Sequence, residues 1–177
     1  MYIGQFVIAQ NGRFTVLDLG SATYDHTTFS EQRYNNYPQS GLSHNPLVFN
    51  GIPQKAGDGC ATQFEVSGDE HAFTCKMEIS GGYPASLGLK SYLRTFTYDG
   101  HSLTVQDTWK AASPLKPTMT LLHETPETPV ECALPKTTEP YPISDAWLSH
   151  TWGDMLYRTI ISAPEAMEGT ITLCFPL

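Results

Sequence analysis

The residues best suited to chemistry crowd into positions 24–54. Tyr24, Asp25 and His26 come first, then Arg33, Tyr34, Asn35, Asn36 and Tyr37, then Ser43-His44-Asn45, then Gln54. Amides, imidazoles, phenols and one guanidinium can orient sugar hydroxyls, bind a carboxylate and exchange protons. The plainer reading of the same stretch is a polar surface loop. His44 opens the apolar run Pro46–Phe49, and His123 closes another, Met119–Leu122. Glu78 ends an alternating segment set by Phe73, Cys75 and Met77. A histidine or acid at a strand end more often has a structural role or is simply solvated. His44, Glu78 and His123 carry the N and O donors that zinc accepts, although they lie far apart in the chain. The remaining histidines sit in or beside turn signals and read as solvated. The sequence contains no GxSxG elbow, GxxxxGK loop, HExxH or GxGxxG, so serine-hydrolase, nucleotide and zincin chemistries lose their usual support.

The elements that must position these groups read as strands. Asn11-Gly12 separates 4–9 from 13–19, and Asp99-Gly100 separates 92–98 from 102–109, both strong hairpin signals. Alternation marks 61–67 and 71–79, and further strands fit 46–50, 118–123, 156–162 and 169–175. Residues 144–148 suit a short turn of helix. The stretch 113–142, rich in Pro, Thr and Glu, reads as loop apart from one strand. With 14 glycines and 13 prolines in 177 residues, the chain is interrupted often, which suits short strands and tight turns. The expectation is an all-β chain, an antiparallel β-sandwich of two packed sheets, forming one domain over 1–177.

Charge and composition exclude several classes. A formal charge of −8 gives no counterion-release energy on a polyphosphate, so no nucleic-acid partner is expected. An acidic polysaccharide would need local Arg, Lys or metal charge to overcome the same field. No apolar stretch reaches the roughly 18 residues a membrane helix requires, so no membrane partner is expected. The opening Met1-Tyr2-Ile3-Gly4 has no signal-peptide pattern. Cys60, Cys75, Cys132 and Cys174 form no CxxC pair, and buried thiols are their simplest reading.

The order of features resembles the heparinase II/III family of polysaccharide lyases. Gly4-Gln5-Phe6-Val7-Ile8, Asn11-Gly12, Leu17-Asp18-Leu19-Gly20 and Tyr24 are similar to the family's strand and hairpin leading into an "Asp-x-Gly…Tyr" stretch. Ser43-His44-Asn45-Pro46-Leu47-Val48-Phe49-Asn50-Gly51 and Gln54 resemble "His-Asn-Thr-Leu-x-x-x-Gly…Gln", with Pro46 where Thr is usual. Glu78-Ile79-Ser80-Gly81-Gly82-Tyr83 looks like "Asp-Leu-Ser-x-Ala-Tyr". Arg94 and Leu103-Thr104-Val105-Gln106-Asp107 look like the family's "Arg…Leu-x-Val-x-Asp" hairpin, and His123 falls at its strand-end histidine. The resemblance spans roughly residues 4–125.

Such enzymes cleave uronic-acid polysaccharides by β-elimination. An α/α toroid domain supplies a tyrosine and a carboxylate-neutralising amide, and the sheet domain supplies a histidine. The resemblance therefore implies His44 as the catalytic histidine, with Asn45, Tyr24, Arg33 and Tyr37 contacting substrate. It implies Glu78 and His123 as metal ligands, zinc being the cofactor, with Glu78 standing where Asp is usual. It implies an acidic polysaccharide and an α/α toroid domain or partner chain as partners, and a periplasmic or extracellular location. Met1-Tyr2-Ile3 stands where the family has a His-Asn-Asp triplet. The expectation is thus a lyase sheet domain without activity when alone, with an exposed apolar face or a homodimer where a toroid would pack. The rival readings are a non-catalytic carbohydrate-binding or structural sandwich, and a small self-sufficient metalloenzyme.

Overall fold

A computed structural model describes residues 2–55, 57, 61–127 and 130–177. Cys60 lies outside the described residues. The chain forms β1 (Ile8–Gln10), β2 (Arg13–Val16), β3 (Val48–Phe49), β4 (Gln63–Gly68), β5 (Phe73–Glu78), β6 (Leu89–Tyr98), β7 (Ser102–Leu115) and β8 (Pro117–His123). It continues with β9 (Lys136–Pro142), helix α1 (Ala146–Trp152), β10 (Met155–Ser162) and β11 (Ala166–Pro176). Short 3₁₀ turns over Glu31–Asn35 and Tyr37–Gln39 shape the polar segment.

All pairings are antiparallel. One sheet has the order β11-β7-β6-β5-β4 and the other β3-β8-β10-β9, with β1-β2 as a separate ribbon. Both hairpin signals are realised. Asn11 and Gly12 sit at φ 51° and 76°, the left-handed pair that a tight two-residue turn requires. At the second turn Asp99 accepts the His101 and Ser102 N–H groups.

Alternation does the packing. Tyr92, Arg94 and Phe96 on β6, Val105, Asp107, Trp109 and Ala111 on β7, and Ile171, Leu173 and Phe175 on β11 are buried. All but the charged pair meet Met119, Leu121 and Ile161 of the second sheet in the main core. Burying each large apolar side chain contributes roughly 1.5–3 kcal/mol, so this layer holds the sheets together. β8 is buried on both faces. Its Leu122 packs outward on Leu17, Leu19, Leu148 and Leu156, which brings the 17–22 segment and α1 onto the outside of the four-stranded sheet.

Two parts of the sequence reading are corrected. The supposed loop 113–142 contains the end of β7 and all of β9 as well as β8. β9, Lys-Thr-Thr-Glu-Pro-Tyr-Pro, lies at the sheet edge, where prolines are tolerated because one side needs no donors. The helix is a full seven residues, started by Asp145, whose carboxylate accepts the Trp147 and Leu148 N–H groups. Cys75, Cys132 and Cys174 are free, half-buried thiols. The edge strand β4 leaves Phe64 and Val66 exposed on the face they share with Met77 and Cys75.

Candidate functional site

The site begins with two amide side chains that act as strand partners. Asn45 donates from Nδ2 to the Phe6 carbonyl at 2.8 Å and accepts the Phe6 N–H at 3.2 Å. Gln54 does the same for Ile3, at 3.0 and 2.8 Å. Together they sew residues 3–6 onto the segment that carries His44. Beneath them lies Arg94, fully buried and opposite Asp107 across the β6–β7 pair. Its Nε and Nη2 donate to the Asp107 carboxylate, both at 2.7 Å. Nη2 also donates to the Asn45 carbonyl at 2.8 Å, and Nη1 to the Gly4 carbonyl at 2.7 Å. Burial alone would lower the Arg94 guanidinium's pKa, but the adjacent Asp107 more than offsets this and raises it. The buried pair thus fixes the backbone on both sides of the site.

His44 is held from the other side. Its Nδ1 lies 3.1 Å from Asp18 Oδ2, which also accepts Gln5 Nε2 at 2.9 Å. Gln5 Oε1 in turn accepts the Asn45 N–H at 3.1 Å, and Asp18 Oδ1 accepts the Gly20 N–H at 2.8 Å. Burial pushes the Asp18 carboxyl up, but the hydrogen bonds from His44 and Gly20 outweigh it and hold the group below the usual carboxylate range. An ionised carboxylate can only accept, so Nδ1 carries a proton, and in the neutral tautomer of the ring Nε2 is then the bare nitrogen. Nε2 has no hydrogen-bond partner among the described residues. The Tyr2 ring lies on the imidazole with centroids 4.2 Å apart, and its hydroxyl donates to the Gln39 carbonyl at 2.6 Å. Burial pushes the Tyr2 phenol up to about 12, so it stays protonated.

These groups line a cleft of about 330 Å³ that also takes in Arg33, Tyr34 and Gln39. The Arg33 guanidinium lies 5.4 Å from the Tyr34 ring centroid. Its buried Nε and the buried Gln39 Oε1 have no hydrogen-bond partner among the described residues. A guanidinium and an imidazole lining one cleft are a combination that could neutralise a uronate and exchange a neighbouring proton.

The expected site residues therefore separate. His44 and Arg33 share the cleft. Asn45 is buried beneath it, with its amide committed to Phe6. Tyr37 packs on Tyr141 at 5.6 Å in the second core. Tyr24 lies outside the cleft, exposed in a neighbouring hollow. Glu78 accepts the Tyr92 N–H, the Ser80 N–H and the Thr62 hydroxyl. Burial would raise its carboxyl, but these bonds lower it. His123 uses both nitrogens, Nδ1 with the Thr125 carbonyl at 2.7 Å and Nε2 with the Thr159 hydroxyl at 2.8 Å. Among the described residues no three His, Cys, Asp or Glu side chains gather as a metal site. With these groups engaged, Glu78, His123 and His44 do not fit one ion. Sequence reasoning gave no role to Tyr2, Gln5 or Asp18. The Asp-x-Gly spacing of Asp18 and Gly20 was the one available signal, realised as the carboxylate capping the Gly20 N–H.

No family model and no curated protein matches the sequence. Solved structures match the fold. A heparinase III with methylated lysines shares 13% identity at a TM-score of 0.69, over 98% of this chain and 29% of its own. A heparan sulfate lyase from Pedobacter heparinus shares 12% at 0.69, over 99% of this chain and 30% of its own. A further heparinase III shares 16% at 0.67, over 99% and 30%. The fold resembles the β-sandwich part of heparinase III lyases, and the chain spans about 30% of the length of these structures.

Proposed function

We propose that this chain is the sheet domain of a heparinase II/III-like lyase that acts on uronic-acid polysaccharides by β-elimination, with His44 as its catalytic histidine. One observation carries the reading: Asp18 holds His44 Nδ1 at 3.1 Å and leaves Nε2 without a partner among the described residues, in a cleft that also holds Arg33. In β-elimination a base takes the proton on the carbon beside the uronate carboxylate, the ring double bond forms, and the bond to the leaving sugar breaks as that oxygen is protonated. Nε2 is suited to the proton transfer beside the carboxylate, and Arg33 to neutralising that carboxylate. Elimination needs groups on both sides of the sugar. This cleft offers one oriented imidazole, and an α/α toroid domain, covalent or separate, is the partner the resemblance implies for the other side. The resemblance to heparinase III structures supports the assignment without carrying it.

Calorimetric titration of the 177-residue chain with a heparan sulfate octasaccharide tests the reading. We expect measurable binding, weakened about tenfold by Arg33→Ala through loss of a charge-assisted contact. We also expect no ultraviolet signal of unsaturated uronate from the chain alone. Undetectable binding up to millimolar oligosaccharide would refute the site. Robust turnover by the chain alone would refute the division between domains.

A further inference from the structure

Beside the His44 cleft lies a second, larger hollow of about 540 Å³, set between Tyr24 and Trp147 and floored by Ala22 and Ala146. None of the residues lining it carries a charge. Ser21 lines both spaces, so the hollow adjoins the cleft. Its two aromatic rings are turned to solvent, Tyr24 at 66% and Trp147 at 61% exposure.

The hollow is also built rather than incidental. Asp145 accepts the Thr23 N–H at 3.0 Å and the Thr23 hydroxyl at 3.1 Å, while capping the N–H groups of Trp147 and Leu148. Trp152 Nε1 donates to the Leu19 carbonyl at 3.0 Å. Helix α1 thus clamps both ends of the run 19–23. That run follows directly on Asp18, the residue that orients His44. One short stretch of backbone therefore sets both the imidazole and the aromatic wall.

Resting on the reading of the His44 cleft as a polysaccharide site, we propose that the Tyr24–Trp147 hollow is a second sugar subsite. It takes the pyranose next along the chain from the uronate at His44 and holds it by its C–H face against the Trp147 indole. The two spaces divide the chemistry. The cleft has the Arg33 cation with its unpaired Nε donor, suited to a carboxylate. The hollow has apolar walls and exposed aromatic faces, suited to the weakly polar face of a ring and poorly suited to a sulfate.

The test compares a heparan sulfate octasaccharide with a single uronate sugar, methyl glucuronide, on the full chain and on Trp147→Ala, Trp147→Phe and Tyr24→Ala. We expect the octasaccharide to bind about tenfold more weakly to Trp147→Ala, and Trp147→Phe to stay within about threefold of the parent. The single uronate, which fills the cleft without reaching the hollow, should bind all of them alike. Trp109 is buried in the core and Trp152 is held by its Nε1 bond to the Leu19 carbonyl outside the hollow's lining, so the octasaccharide should change tryptophan emission in the parent and much less in Trp147→Phe. Unchanged octasaccharide affinity in Trp147→Ala and Tyr24→Ala, with the parent binding normally, would overturn the subsite and leave the cleft standing. If Trp147→Ala converts a dimer to a monomer at unchanged affinity, the hollow is a contact between copies and the subsite is refuted. If the parent binds neither sugar, both the cleft reading and the subsite fall.

Discussion

Two carboxylate pairs flank Asn45, one with a guanidinium and one with an imidazole, and they differ in what they leave unused. Arg94 and Asp107 sit inside the sandwich at 0% and 1% exposure, and the guanidinium spends its donors on a carboxylate and on two carbonyls of the site's backbone. Asp18 and His44 sit at the cleft, and the imidazole commits one nitrogen while the other stays open. A buried charge is tolerated when every donor and acceptor is matched. The first pair meets that demand and serves the fold. The second pair fixes one nitrogen in order to present the other. His123 belongs with the first kind, since it is buried with both nitrogens engaged.

The largest effect should come from breaking the buried pair. Arg94→Met leaves Asp107 unpaired in the core and removes the donors to Gly4 and Asn45, which should cost about 3–5 kcal/mol in urea unfolding. Arg94→Met combined with Asp107→Leu should recover most of that loss. If the single variant unfolds at the parent's urea midpoint, the pair does not anchor the site.

A middle-sized effect belongs to His123. Burial holds its imidazole below the ordinary 6.5, against the opposing hydrogen bond to Thr125. The unfolded chain therefore takes up a proton in a range where the folded chain does not, and stability falls as pH drops below about 6.5. One such proton removes at most about 1 kcal/mol between pH 6.5 and 5.5. His123→Gln should flatten the unfolding midpoint over that window, and an unchanged slope would assign it to another group. Asp18, held low, contributes stability that is lost only in a more acidic window, as pH falls through its folded value.

The smallest stability effect should come from the cleft pair. Asp18→Ala is expected to cost about 1 kcal/mol or less, because Asp18 is partly exposed. Its consequence is instead a change of tautomer. Without the carboxylate, neutral His44 should lose its fixed Nδ1–H, as read by nitrogen NMR of the imidazole. A large loss of stability with the tautomer unchanged would place Asp18 with the fold rather than with the cleft.

Much of the frame is visible in the sequence, and most of the site is not. Asn-Gly, Asp-Gly and the alternation of β5 to β7 give the strands directly, because a period of two is local. β9 escapes because Pro140 and Pro142 read as breakers, and only its edge position makes them acceptable. Asp18 meets His44 across 26 positions, and Gln5 meets Asn45 across 40. Nothing periodic marks such pairs, so Tyr2, Gln5 and Asp18 appear only once the segments are sewn together. Asn45 shows the reverse problem. Its neighbour His44 faces the cleft while its own amide turns inward to Phe6. Adjacency in the chain says nothing about which side chain turns toward solvent.

The central claim is that Asp18 orients the His44 ring through Nδ1 so that Nε2 meets the sugar proposed for the cleft. Nitrogen NMR of the His44 ring during titration with a heparan sulfate octasaccharide tests this directly. The account predicts a protonated Nδ1 before and after sugar is added, and an Nε2 resonance that moves as the cleft fills. A ring protonated at Nε2 from the outset, or one whose nitrogens do not move at saturating sugar, would contradict it.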